Sequence, residues 1–174
     1  MSKISYITGD VLNPVGDGYK IIPHVCNDIG GWGSGLVIAI SKRWKDPEFS
    51  YRYWFKKSKD INSKGFYNTF KLGMIQCIEV EDDILIINMI AQHNTISIAP
   101  GTKPIRYDAL KTCLEKVAIQ TLKYNTPASV HMGRIGCGLA GGKWKEVEKI
   151  IQETLISRNI PVYIYTLEGD KSWR

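Results

Sequence analysis

The stretch His24-Val25-Cys26-Asn27-Asp28-Ile29-Gly30-Gly31-Trp32-Gly33-Ser34-Gly35-Leu36-Val37-Ile38-Ala39-Ile40 decides the fold. An apolar run, Ile21 to Val25, leads into four glycines within six residues and then into Leu36 to Ile40, which can open a buried helix. The order is strand, glycine loop, helix. A helix N-terminus carries unpaired backbone N–H groups and the positive end of its dipole, and glycines remove the Cβ atoms that would keep an anion away. Phosphate binding is one use of such a loop; a tight turn needing positive φ is the other. The spacing fits neither the dinucleotide Gly-x-Gly-x-x-Gly nor a P-loop.

A second device of the same kind lies far away: Gly133-Arg134-Ile135-Gly136-Cys137-Gly138-Leu139-Ala140-Gly141-Gly142 follows the strand-like Ser129 to Met132 and precedes an amphipathic helix from Lys143. Two glycine loops, each feeding a helix, can hold a diphosphate from both sides.

With these elements the chain resembles the macro domains, which bind ADP-ribose. The resemblance rests on Ile7-Thr8-Gly9-Asp10-Val11, on His24 to Ile40, on Ile135-Gly136-Cys137-Gly138-Leu139-Ala140-Gly141-Gly142-Lys143-Trp144, and on Val162-Tyr163-Ile164-Tyr165-Thr166-Leu167, so it covers nearly the whole chain. His24-Val25-Cys26-Asn27 followed by Gly31-Trp32-Gly33 is most similar to the branch containing the yeast ADP-ribose 1″-phosphate phosphatase. The resemblance implies an α/β fold, three layers α/β/α around a mixed, mostly parallel six-stranded sheet.

Bulk properties agree with one globular unit. A chain of 174 residues, 44% apolar, buries one substantial core and is short for two ordinary domains, so residues 1–174 are expected to form a single macro domain. No run approaches the ~18 apolar residues of a membrane span, and Met1-Ser2-Lys3 leads into a strand, not a signal-peptide core. Cys26, Cys77, Cys113 and Cys137 are widely spaced, without a Cys-x-x-Cys pair. Reduced thiols in the cytoplasm are the expectation. The net charge of +6 favours acidic partners. Its densest cluster, Lys56-Lys57-Ser58-Lys59, reads as the solvated end of a helix; nucleic acid stays open, and so does the oligomeric state.

Strands are expected at Ile4 to Thr8, Ile21 to Cys26, Met74 to Val80, Ile84 to Met89, Val130 to Met132 and Val162 to Leu167. Helices are expected at Gly35 to Arg43, Glu48 to Ser58, Tyr107 to Lys123 and Lys143 to Ser157. Glu79 to Ile84 reads as a hairpin turn, which makes one neighbouring strand pair antiparallel. Ligand crevices of such sheets form at the carboxyl ends of the strands, where both glycine loops belong.

The site residues follow from the resemblance. Asp10, beside Val11, accepts from the adenine amino group; a turn aspartate is the alternative. Gly31, Trp32, Gly33, Ser34, Gly35 and Leu36 on one side, and Ile135, Gly136, Cys137, Gly138, Leu139, Ala140 and Gly141 on the other, enclose the ligand. Asn27 reaches the distal ribose or ties its own loop, and Trp32 packs beside the ribose or anchors the loop. His24 matches a histidine associated with phosphatase action and is the candidate general acid or base, with Asp28 to orient it; a half-buried strand histidine is the alternative. His93 and His131 read as structural. Macro domains working through a lysine adduct carry a lysine after the fourth strand and an acidic residue after Gly-Cys-Gly-Leu, where this chain has Gln92 or His93, and Ala140; Lys103 substitutes only if its loop folds inward. The expected chemistry is therefore attack by water on ADP-ribose 1″-phosphate or an ADP-ribosyl ester. It calls for no metal and no cofactor, with ADP-ribose or an ADP-ribosylated substrate as partner. A catalytically silent reader of ADP-ribose is the other reading.

Overall fold

The computed structural model describes residues 2–171. Six strands, β1 (Ile4–Thr8), β2 (Tyr19–Asn27), β3 (Ile75–Glu81), β4 (Ile84–Gln92), β5 (Ala128–Met132) and β6 (Val162–Thr166), form one sheet in the order β1-β6-β5-β2-β4-β3. Among the described strand pairings the β3–β4 hairpin is antiparallel and the other four are parallel. The helices are α1 (Leu36–Arg43), α2 (Asp46–Ser58), α3 (Tyr107–Thr121) and α4 (Trp144–Thr154). A short 3₁₀ segment, Gly65–Thr69, for which the sequence carries no strong signal, follows α2.

Side-chain alternation assigns the two sheet faces. Leu85, Ile87 and Met89 of β4, with Ile21 of β2, pack on α3 and α4 through Leu110, Leu114, Val117, Val147 and Ile151. Ile84 and Ile86, with Ile22 and Cys26, point the other way and meet Ile40 of α1 and Tyr51 of α2. Burial on both faces explains why β4 is almost wholly apolar. Its one polar residue before the terminal Gln92, Asn88, is fully buried and pairs in register with His24. At the carboxyl end of β2 the register slips between Cys26 and Asn27, a bulge that re-aims the following residues into the glycine loop.

Candidate ligand-binding site

The loops after β1, β2 and β5 converge on one cavity of about 860 Å³. Its wall contains Asp10 and Val11, Asn27, the run from Gly31 to Leu36, and Ile135, Gly136, Gly138, Leu139 and Ala140. Asp28, Cys137 and Gly141, expected at the site, are not part of the wall.

On the β2 side the loop is tied by Asn27. Its Oδ1 accepts from the backbone N–H of Ile29 (3.1 Å) and Gly31 (2.9 Å), and its Nδ2 donates to the Gly31 carbonyl (2.7 Å). The Tyr51 hydroxyl lies 2.6 Å from the Asn27 carbonyl and 2.9 Å from Oδ1. One hydrogen of Nδ2 remains for a ligand, so the two sequence readings of Asn27 are compatible. Trp32 is buried as an anchor, yet lines the cavity: Nε1 donates to Ser41 Oγ (2.8 Å), which donates to Glu48 Oε2 (2.6 Å). The Ser41 hydroxyl is the main reason the Glu48 carboxyl sits below its ordinary range. Arg52 closes the circuit, binding Glu48 Oε1 through Nε (2.9 Å) and the Trp32 carbonyl through Nη2 (3.1 Å).

Gly35 ends the loop as the N-cap of α1, with φ 75° and ψ −146°, a region open only to glycine. A Cβ built on it meets nothing within 4 Å, so its missing side chain leaves open space in the cavity wall. The first N–H groups of α1 therefore start at the cavity.

The second loop is different. Gly142 N donates to the Gly136 carbonyl (2.7 Å), and a Cβ on Gly142 would lie 2.5 Å from that oxygen. This closed turn puts Gly136, Gly138, Leu139 and Ala140 on the wall and leaves the start of α4 outside it. The expectation that both helices begin at the site is corrected here: α1 begins at the cavity wall, while α4 begins outside it. Cys137 turns toward the α3/α4 core, and burial pushes its thiol up to about 11.

His24 lines the cavity from β2, yet its ring is held in the protein interior, closer to the strand-histidine alternative. It is 2% exposed, and its Nε2 lies 2.6 Å from Asn88 Oδ1. Asn88 Nδ2 donates to the Pro47 carbonyl and to Gln76 Oε1, both at 3.1 Å, so Oδ1 faces His24 and Nε2 carries the proton. Nδ1 has Cys26 Sγ at 3.8 Å, and the ring meets Trp32 edge-on at 5.4 Å. Burial lowers its pKa to about 4, so the imidazole is neutral at pH 7 and does not titrate near neutrality. Asp28 does not orient it: Oδ2 pairs with His93 Nδ1 (2.7 Å) and Oδ1 accepts from Asn94 N (2.8 Å). His131 is fully buried, held between Ser129 Oγ and the Tyr165 hydroxyl. Lys103 lies along Gly141 and is not in the cavity wall.

The wall also holds the β2 residues His24, Val25 and Cys26, and Gln92, Thr95, Arg134, Tyr165, Leu167 and Asp170, which the sequence reading did not assign to ligand binding. Arg134 was the findable one, since it is the cation inside the second glycine loop; its guanidinium lies over the rings of Tyr6 and Trp144.

No protein-family model matches the chain. It is similar to the solved structure of a macrodomain protein from Streptomyces coelicolor, 44% identical, covering 94% of this chain and 99% of that one with a TM-score of 0.77. Among curated proteins it is 32% identical to mouse chromodomain-helicase-DNA-binding protein 1-like over 98% of this chain, which spans only 18% of that protein. It is 26% identical to the ADP-ribose 1″-phosphate phosphatase of Candida albicans, over 86% of this chain and 92% of that one.

Proposed function

The chain belongs to the macro domain family, and from that premise we propose that residues 1–174 form a single macro domain that binds ADP-ribose and hydrolyses ADP-ribose 1″-phosphate or an ADP-ribosyl ester. The observation that carries the reading is the convergence of Asp10 and both glycine loops on one cavity. Asp10 accepts from the adenine amino group. The diphosphate lies between the start of α1 and the Gly136–Ala140 backbone, where fixed N–H dipoles offset its charge. Asn27 offers its remaining amide hydrogen to the distal ribose, and water is the nucleophile. His24 acts as a neutral base through Nδ1, the nitrogen not committed to Asn88. All four cysteines are free, which suits a protein of the reducing cytoplasm.

A silent reader is the second reading. It is favoured by the locking of His24 against Asn88 and by the turn of Asp28 toward His93, which together leave few titratable groups at the cavity. Product analysis after incubation with ADP-ribose 1″-phosphate and with ADP-ribosylated protein separates the two: release of ADP-ribose supports the enzyme, and binding without release supports the reader.

A further inference from the structure

The positive charge of this protein is local. Residues 42–71 hold nine Lys and Arg against three Asp and Glu, while the rest of the chain holds fourteen of each. The whole excess of +6 therefore lies on α2 and its flanks. At 100° per residue, Lys45, Phe49, Arg52, Tyr53, Lys56 and Lys57 share one face of that helix. Lys56 and Lys64 form no salt bridge among the described residues, and the Lys57 pairing with Asp60 is long, at 4.0 Å.

Aromatic rings interleave with these cations on the surface. Phe49 is 69% exposed, and its ring runs parallel to that of Tyr53, 14° between planes and 6.0 Å between centroids. Tyr67, from the 3₁₀ segment, meets Tyr53 edge-on at 5.5 Å, and Lys57 Nζ stands 5.7 Å from the Tyr53 ring centre. None of these rings serves the core, which on this helix is filled by Tyr51 and Trp54. Together they form a contiguous exposed patch, which suits a partner that accepts flat rings and cations together. A purely apolar partner would have to desolvate the lysines, and the carboxylates of an acidic peptide meet the cations without a large apolar ring face to stack on Phe49 and Tyr53. A flexible polyanion with planar bases satisfies both.

We propose that the face of α2 carrying Phe49, Tyr53, Lys56 and Lys57 binds single-stranded nucleic acid, with bases stacked on the Phe49–Tyr53 pair and phosphates beside the lysines. The stripe is separate from the cavity, because none of these four residues lines it. It adjoins the mouth through Arg52, which shares the helix face and holds the Trp32 carbonyl at the rim.

Fluorescence anisotropy with labelled oligo(dT) and oligo(U) of about 15 nucleotides tests this at low and moderate salt. The expected result is saturable binding of at least one oligonucleotide, weakening with a log–log salt slope of about −2 to −3, as for three or four neutralised phosphates. Phe49→Ala with Tyr53→Ala should weaken it tenfold or more, roughly the loss of one or two stacked bases. Lys56→Glu with Lys57→Glu should do the same and flatten the salt slope. Both double variants should keep native melting curves and native ADP-ribose affinity by calorimetry, since the altered side chains lie outside the cavity. The proposal is overturned if neither oligonucleotide binds at low salt, if both variants bind like the native chain, if free ADP-ribose displaces the oligonucleotide, or if a duplex binds as tightly, which would leave the rings without a role. Concentration-dependent self-association lost in the aromatic variant, without oligonucleotide binding, would assign the face to a second copy instead.

Discussion

His24 and Asn88, cross-strand partners on β2 and β4, are joined by a 2.6 Å hydrogen bond in which the imidazole Nε2–H donates to the amide oxygen. The bond fixes the tautomer, and burial holds the ring neutral. Two measurable consequences follow, one for stability and one for turnover.

His24 and His131 are both lowered to about 4 by burial, against about 6.5 in an unfolded chain. As pH falls below 6.5 the unfolded state takes up protons first, so the stabilisation is complete above 6.5 and is lost progressively toward 4. At 1.36 kcal/mol per pH unit each histidine contributes up to about 3 kcal/mol. Urea midpoints should drop between pH 7.5 and pH 5, before most carboxylates titrate. Equal midpoints at those two values would contradict the burial of both rings.

If His24 acts as the base through Nδ1, turnover of ADP-ribose 1″-phosphate should stay level from pH 8 to pH 6 and decline only toward pH 4, because the base must be deprotonated. His24→Ala should lower turnover by about 10²–10⁴-fold. A limb near pH 6.5 would instead direct attention to another group, and native turnover in the variant would remove His24 from the reaction.

Gly35 supports a paired test. Gly35→Ala places Cβ at φ 75° and should cost about 1–3 kcal/mol of stability while ADP-ribose still binds. Gly35→Glu adds a carboxylate where the diphosphate is proposed to lie and should abolish binding in a folded protein. Equal affinity of the two variants, measured by calorimetry, would put the phosphates elsewhere.

Asp10 Oδ1 accepts from Leu12 N at 2.9 Å, so the side chain also shapes its turn. Asp10→Asn keeps an acceptor for that bond and removes the charge, and ADP-ribose should bind about tenfold more weakly, the loss of a charge-assisted hydrogen bond. Inosine diphosphate ribose, which lacks the amino group, should bind the native chain poorly and lose little more in the variant. An identical loss for both ligands would reduce Asp10 to a turn residue.

Tyr51→Phe removes the hydroxyl that reaches Asn27 and leaves its carbonyl without that donor, at a cost of about 1–3 kcal/mol. ADP-ribose affinity should fall less than in Asn27→Ala, because the two backbone donors to Oδ1 persist. The reverse order of affinities would show that the loop does not depend on its own asparagine.

The sheet and the four helices were legible because β-branched runs, glycines and helical spacing state the same thing locally and globally. Strand ends were less so: β2 and β4 run further than their apolar cores. The error at Asp28 has a definite cause. Alternation from His24 through Cys26 puts residue 28 on the same face, and a bulge between Cys26 and Asn27, which no residue type announces, breaks that phase. Likewise, nothing local to Tyr51 marks it as the partner of a residue 24 positions earlier, and nothing local to Asn88 marks it as the group that claims a histidine from β2. Long-range polar pairs of this kind are written in the packing of layers and not in any one segment.

The sheet order has a consequence for synthesis. Among the described residues β1 lies at an edge and pairs with β6 alone, Ile4 against Val162 through Thr8 against Thr166. As the chain leaves the ribosome, the β2–β4 centre and the Asn27 loop can assemble from the first ninety or so residues. The strand that presents Asp10 has no neighbour until residues 162–166 emerge. The newborn protein thus acquires the loop next to Asn27 early and the Asp10 wall last, so any ligand that needs both must wait for the final strand.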